Sequence, residues 1–88
     1  VRTILYHPLF DKEFIKLEHL LQRIAVKIEK QFRLNPLYPS LRLHPLKGRL
    51  DGLWSISVTM NVRMIFQRMD NGDVVFLSIG RHDIYRSL

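Results

Sequence analysis

The first third of the chain shows two hydrophobic patterns in succession. Residues 3–6 form a short β-prone segment, and Pro8 suits the first turn of a helix because its missing N–H costs nothing there. Apolar residues then recur in steps of four and three, the period of one helical face: Phe10, Phe14, Leu17, Leu21, Ile24 and Ile28. Asn35-Pro36 ends this pattern, since the residue before proline is pushed out of the α region. The periodicity does not decide between one helix and two. If there are two, the break falls near residues 18–20.

The rest of the chain is patterned as strands. After a proline-punctuated connection over residues 36–45, in which residues 40–44 are candidates for an extended segment, apolar and polar residues alternate. The pattern predicts three strands, at residues 53–58, 62–67 and 74–79. Asn71-Gly72 favours a hairpin between the last two, because both residue types tolerate positive φ angles. The third strand is nearly all apolar, which predicts a central strand buried on both faces, and residues 81–86 follow it as a polar tail.

This order predicts an α+β fold, with a small antiparallel sheet and the helical segment packed on one face. The opposite face of the sheet is then free for a ligand. With 88 residues, the chain is long enough for a single domain spanning residues 1–88.

Composition narrows the function classes. The 14 Lys and Arg residues against 8 Asp and Glu give a net charge of +6, which indicates a polyanionic partner such as nucleic acid. The absence of cysteine excludes disulfides, thiolate metal sites and a cysteine nucleophile, and it fits a reducing cytosol. No apolar run approaches the ~20 residues that span a bilayer. We therefore expect no membrane-spanning segment, no signal peptide and no membrane partner. The four histidines lack the spacing of a metal site, so no metal and no cofactor is expected.

Positive charge is densest in the second half of the chain. Residues 42–68 contain five basic residues and a single carboxylate, Asp51. The basic residues are Arg42, Lys47, Arg49, Arg63 and Arg68. Such a cluster is typical of a phosphate-binding surface. A solvated basic face without a ligand remains an alternative.

Three stretches together resemble one protein family. They read HPLKG followed by GLWSI (residues 44–48 and 52–56), NVRMIF (residues 61–66) and IGRHDIY (residues 79–85). The chain resembles the RelE/ParE toxin superfamily, the toxin halves of bacterial type II toxin–antitoxin pairs, and it is most similar to the RelE, YoeB and YafQ branch. The resemblance covers nearly the whole chain. It implies a helical hairpin on a small antiparallel sheet, and therefore two helices.

The resemblance also implies a reaction. This branch consists of messenger-RNA endonucleases that act in the ribosomal A site without a metal: the ribose 2′-hydroxyl attacks the adjacent phosphate and leaves a 2′,3′-cyclic phosphate and a 5′-hydroxyl. That chemistry needs a base, an acid and a cation for the developing phosphorane charge. Histidine suits the proton transfers because its pKa lies near neutrality, and arginine binds two phosphate oxygens without losing its charge.

Position by position, the resemblance assigns His44 as general base, Arg63 as the phosphate ligand, His82 as general acid and Tyr85 as the aromatic residue that stacks on a base. It assigns further phosphate contacts to Lys47, Arg49 and Arg81. Each role has a structural alternative. His44 would cap a turn, Arg63 would pair with Asp51 or Asp83, His82 would be an exposed tail residue, and Tyr85 would anchor the tail in the core.

The chain departs from the family at three positions. Ser55 and Ser57 stand where RelE has lysines, and YafQ-like relatives have histidine at Ser57 and aspartate at Asn61. The remaining set is closest to YoeB, with histidine in place of a glutamate. These departures leave codon preference and cleavage rate open.

The resemblance thus implies a bacterial cytoplasmic toxin that cleaves messenger RNA on the ribosome, inhibits translation and is neutralised by a cognate antitoxin. Two alternatives stay open. One is a ParE-like toxin that binds DNA gyrase without cleaving RNA, and the other is an inactive remnant that only binds its antitoxin.

Overall fold

The computed structural model of the protein describes residues 2–88, apart from the side chain of Ser87. It contains five strands and three helices: β1 (Ile4–Tyr6), α1 (Pro8–Ile15), α2 (His19–Leu34), β2 (His44–Pro45), β3 (Leu53–Ser57), β4 (Arg63–Arg68), β5 (Val74–Gly80) and α3 (Ile84–Ser87). Short 3-10 turns at Pro39–Leu41 and Gly48–Leu50 flank β2. The strands form one sheet in the order β1-β5-β4-β3-β2. The predicted α+β class is confirmed.

The helical stripe is divided into two helices. The side chain of His7 caps α1, its Nδ1 accepting a hydrogen bond from the backbone N–H of Leu9 at 3.0 Å. The first helix ends at Ile15, and Nε2 of Gln22 in α2 donates to the carbonyl of Phe14 at 3.0 Å. The same carbonyl also accepts a hydrogen bond from the backbone N–H of Leu17 at 3.1 Å, and the additional bond from Gln22 fastens the two helices at their junction. The hairpin implied by the family resemblance is therefore present, and its break lies at residues 16–18.

The sheet is mixed, which corrects the antiparallel sheet expected from the sequence. The meander β3–β4–β5 is antiparallel, as predicted, but β1 pairs in parallel with β5, Ile4 lying opposite Val74. A parallel partner requires a long crossover connection, and the two helices supply part of it. Because β1 lies outside β5, the central position of the sheet belongs to β4 and not to β5.

An aromatic cluster joins the helices to the sheet. The ring of Phe32 in α2 lies 5.0 Å from that of Phe66 and 5.7 Å from that of Phe76, measured between centroids. All three side chains are fully buried, and edge-on contacts of this kind add to the free energy of burying the rings. Their packing holds α2 across the middle of the sheet.

The carboxylate of Glu13 forms hydrogen bonds with the part of β5 that is not paired with β1. Strand β1 pairs only with the first three residues of β5. Beyond them, Oε1 of Glu13 accepts hydrogen bonds from the backbone N–H of Ile79 at 3.2 Å and from the hydroxyl of Ser78 at 2.6 Å. These bonds satisfy the exposed edge and hold α1 beside the end of β5.

Tyr6 connects β1 with α2. Burial of its hydroxyl, together with the neighbouring Glu29 carboxylate, raises the pKa of Tyr6 to about 12. Arg33 donates to the same carboxylate, with Nη2 3.1 Å from Oε1. The phenol of Tyr6 therefore stays protonated at neutral pH.

The face of the sheet opposite α1 and α2 is partly covered, contrary to the expectation that it is free. The chain turns back after Gly80, and the short helix α3 packs on this face through Ile84, which forms a buried cluster with Ile65 and Leu46. A Cβ atom on Gly80 would lie 2.5 Å from Cγ2 of Ile84, so the turn needs glycine at this position. Within the segment predicted as a polar tail, Ile84 and Tyr85 therefore belong to this cluster, whereas Arg81, His82, Asp83 and Arg86 are exposed. None of the helices within residues 2–88 is long and apolar enough to cross a membrane.

We expect Gly80→Ala to destabilise the fold by about 1–3 kcal/mol, because the added methyl overlaps Ile84 in a packed cluster. In an Ile84→Ala background, which removes the overlapping methyl, the same change should cost much less. Urea unfolding of the two single variants and the double variant measures both values. Equal costs of Gly80→Ala in the two backgrounds would contradict the proposed contact.

Candidate functional site

Arg63 lies in a row of residues across the meander. The strand register places it opposite Ser57 on β3 and opposite Gly80 on β5. Trp54, Ile56 and Val58 belong to the core under α1 and α2, so the alternation of β3 turns Ser57 to the other face. Arg63 and Ser57 therefore share the face that carries α3.

The guanidinium of Arg63 is held by two neighbours. Its Nη1 donates to Oγ of Ser57 at 2.6 Å and to the carbonyl of Thr59 at 3.0 Å. Among the described residues, the ion pairs within 4 Å join Arg33 to Glu29 and Arg81 to Glu18, so the alternative pairing of Arg63 with Asp51 or Asp83 is not found. Since a guanidinium has five N–H donors, the half-buried Arg63 keeps donors for an anion.

The β3–β4 turn orients the second of these acceptors. Oγ1 of Thr59 accepts hydrogen bonds from the backbone N–H of Val62 at 3.1 Å and of Asn61 at 3.3 Å. The N–H of Val58 donates to the carbonyl of Val62 at 2.8 Å and closes the turn. The carbonyl of Thr59 is left directed at Arg63.

His44 lies on the edge strand β2, exposed to solvent and opposite Ser55. Its Nδ1 is 3.1 Å from the carbonyl oxygen of Arg42. A carbonyl only accepts, so Nδ1 carries the proton and Nε2 of the neutral ring is the basic nitrogen. This is the form that a general base requires.

His44 and Arg63 are not in contact. They lie two strands and two residues apart in the register, which corresponds to about 12 Å between Cα atoms at ordinary strand spacings. A substrate that meets both would have to cross β3 near Ser57, because Ser55 is fully buried.

The C-terminal segment brings His82 and Tyr85 together. Their ring centroids are 5.2 Å apart and the rings are tilted by 57°. Tyr85 is half-buried against the cluster of Ile65 and Ile84, as the core-anchor alternative expects, while His82 is exposed. Arg81 is exposed beside His82, with Nη2 3.9 Å from a carboxylate oxygen of Glu18.

The structure gives Arg49 a contact that its sequence position does not suggest. Its guanidinium donates to the backbone carbonyls of Tyr85, the second residue of α3, and of Leu88, which follows the helix. These bonds hold α3 on the sheet, so Arg49 stabilises the position of Tyr85. Lys47 is exposed nearby, and its phosphate contact stays a prediction.

Sequence reasoning missed Ser57 and Thr59 as the supports of Arg63. The signal for Ser57 was its polar side chain in an alternating strand directly before the turn that leads to Arg63. The carbonyl of Thr59 gives no such signal, because any residue type has one. Within residues 2–88, no cluster of three His, Cys, Asp or Glu residues is arranged to hold a metal ion.

Solved structures show the same fold over nearly the whole chain. A YoeB/ParE toxin from Agrobacterium tumefaciens superimposes with a TM-score of 0.75 at 13% identity, over 91% of this chain and 98% of that one. The YafQ structure from E. coli strain BL21(DE3) gives 0.71 at 22% identity, over 97% and 98%. The RelBE2 toxin–antitoxin complex from Mycobacterium tuberculosis gives 0.68 at 22% identity, over 91% and 96%.

The chain has the fold of the RelE/ParE-like toxin superfamily. Endoribonuclease HigB from Proteus vulgaris is 51% identical over 37 residues, which are 42% of this chain and 39% of HigB. The match thus spans about two fifths of that relative's length. No protein-family profile matches the chain. The family resemblance drawn from the HPLKG, NVRMIF and IGRHDIY stretches is thus confirmed at the level of the fold.

Two serines of β3 provide a matched test of the site in this RelE/ParE-like fold. Oγ of Ser55 is buried without a hydrogen-bond partner among the described residues, whereas Oγ of Ser57 accepts from Arg63. We expect Ser55→Ala to leave the free energy of unfolding unchanged or to raise it by about 1 kcal/mol, and Ser57→Ala to lower it by about 1 kcal/mol. Thermal or urea unfolding measures both. The reverse order of stability would contradict the assigned contacts.

Proposed function

We propose that this protein is the toxin of a type II toxin–antitoxin pair and an endoribonuclease that cleaves messenger RNA in the ribosomal A site. The observation that carries the proposal is Arg63, a half-buried arginine held by a hydroxyl and a carbonyl and left without a carboxylate partner in the described part of the chain. A fixed cation of this kind suits a phosphate whose charge grows in the transition state. The local identity to an endoribonuclease and the shared fold support the same reading.

In the proposed reaction, Nε2 of His44 accepts the proton of the ribose 2′-hydroxyl, and the 2′-oxygen attacks the adjacent phosphorus. Arg63 stabilises the charge of the pentacovalent phosphorane. The bond to the 5′-oxygen then breaks, and His82 donates a proton to that leaving oxygen. The products are a 2′,3′-cyclic phosphate and a 5′-hydroxyl, and all atoms are accounted for without a metal.

The partly buried ring of Tyr85 is proposed to stack on a base beside the scissile phosphate. Arg49 contributes by holding the carbonyl of Tyr85, and Lys47 and Arg81 contribute positive charge around the site.

The partners follow from the same proposal. RelBE2 is a toxin–antitoxin complex, and so is the YoeB–YefM complex of Staphylococcus aureus, whose toxin shares this fold. We propose a cognate antitoxin for this chain, of acidic or amphipathic character because the chain carries a net charge of +6. The ribosome with its messenger RNA is the proposed target in the bacterial cytoplasm.

A second candidate function is antitoxin binding without catalysis. It is favoured by Ser55 and Ser57, which place neutral hydroxyls on the strand where the resemblance expects basic residues. Cleavage assays on the folded protein separate the two candidates.

We expect Arg63→Ala to reduce messenger-RNA cleavage by about 10²-fold or more, because the phosphorane loses its fixed cation. Arg63→Ala combined with His82→Ala should no longer arrest growth. Primer extension on messages after induced expression measures cleavage, and Arg23→Ala, an exposed arginine on α2, is the matched control.

Unchanged toxicity of the folded double variant would contradict the catalytic assignment. Growth arrest with intact messages and a DNA-damage response would instead indicate a toxin that acts on gyrase.

A further inference from the structure

A cavity of about 270 Å³ lies beside Arg63 and shares with it Ser57 and Thr59, the two residues that hold the guanidinium. Its lining residues come from the turn before β2 and from the β3–β4 turn: Ser40, Arg42, Ser57, Val58, Thr59 and Met60. We infer that this cavity is a second phosphate subsite, which binds the phosphodiester next to the scissile one in single-stranded RNA. The inference rests on the proposed function for the identity of the first phosphate.

The hydrogen bonds around the cavity leave its hydroxyls as donors. Oγ1 of Thr59 accepts from two backbone N–H groups, which occupies both of its lone pairs and leaves its O–H to donate. Oγ of Ser57 accepts a hydrogen bond from Arg63, so the O–H of Ser57 likewise remains available to donate to another group. Phosphate oxygens only accept, and donors fixed by the fold suit them without reorganisation.

Arg42 supplies the charge of the subsite. Arg42 is the basic residue among those that line the cavity, and no carboxylate is among them. A planar guanidinium with paired donors is suited to a phosphate, and its charge persists at all physiological pH values. The cavity therefore offers one cation and fixed hydroxyl donors to an anion.

The backbone of Arg42 is held in an unusual conformation. Its φ of 50° and ψ of 45° lie in the left-handed region, and it is the one non-glycine residue with positive φ within the described chain. This conformation is costly for a residue with a Cβ atom and persists only where the surroundings impose it. The same residue presents its carbonyl to Nδ1 of His44, so the subsite and the proposed general base share one turn.

The subsite is continuous with the phosphate site of Arg63. Nη1 of Arg63 contacts Ser57 and Thr59, and both of these residues also line the cavity. Two arginines thus flank the same pair of residues, an arrangement that suits successive phosphates of one strand. Met60, 79% exposed at the tip of the turn, provides an apolar surface at the rim for a ribose or a base.

The test uses a 2′-O-methyl RNA tetranucleotide, which has no free 2′-hydroxyl and is not cleaved by this chemistry. Each phosphate is replaced in turn by an uncharged methylphosphonate, and binding is measured by fluorescence anisotropy. Arg42→Asn removes the charge but keeps a residue that tolerates the left-handed conformation. Arg42→Lys keeps the charge, and Arg23→Ala is the matched control on α2.

For the wild-type protein, two linkages should each weaken binding when neutralised. Arg42→Asn should weaken binding of the fully charged oligonucleotide about tenfold. For this variant, replacing one of the two linkages by methylphosphonate should no longer reduce the affinity. The slope of log K against log salt concentration should become shallower by about 0.7, since one phosphate contact is lost. Arg42→Lys should recover part of the affinity, and Arg23→Ala should bind as the wild type does.

The subsite is overturned if the wild type does not bind the oligonucleotide, if Arg42→Asn binds like the wild type, or if that variant remains sensitive to both linkages. The proposed function fails separately. If the two-linkage pattern holds while ribosome-bound messages stay intact, the subsite stands and the nuclease assignment falls. If the wild type cuts messages and Arg42→Asn cuts and binds as the wild type does, the nuclease assignment is supported and the subsite is refuted.

Discussion

The packing of Phe32 against Phe66 and Phe76 is the constraint on which the remaining structure depends. It places α2 over β4 and β5 and turns Phe66 and Met64 into the core. A slip of one residue in β4 would exchange its two faces and bring Arg63 into the core, at a prohibitive desolvation cost. The register of β4 is therefore set by core packing, and that register brings Arg63 opposite Ser57 and Gly80.

On the face of the sheet that carries Arg63, the other basic residues have different roles. α3 covers part of the face through Ile84, and Arg49 holds the segment by its carbonyls. Not all of the basic excess is therefore available to a ligand. Arg63 and Arg42 take part in none of the ion pairs found among the described residues, and the proposed RNA path runs between them and His44.

Local patterns were enough to predict much of the fold. The four-and-three spacing of the helical stripe, the alternation in β3 and the Asn71-Gly72 turn each reflect neighbours in sequence, and those elements are present. The parallel pairing of β1 and the contact of Arg49 with residues 36 and 39 positions away have no local signal. Ile84 falls in the segment predicted as a polar tail, because an isolated aliphatic residue among polar ones gives no periodic signal. At the site, residue types suggested His44 and Arg63, whereas the hydroxyl of Ser57 acquired its meaning only from the register.

The proposed reaction is a cleavage by 2′-hydroxyl attack at a phosphate held by Arg63. The chemistry of the cut ends tests it most directly. Messenger RNA cut by the purified protein on ribosomes should end in a 2′,3′-cyclic phosphate upstream and a 5′-hydroxyl downstream, as read by end-specific ligation and kinase labelling. Ends with a 3′-hydroxyl and a 5′-phosphate would contradict the account, and so would intact messages in the presence of the folded protein.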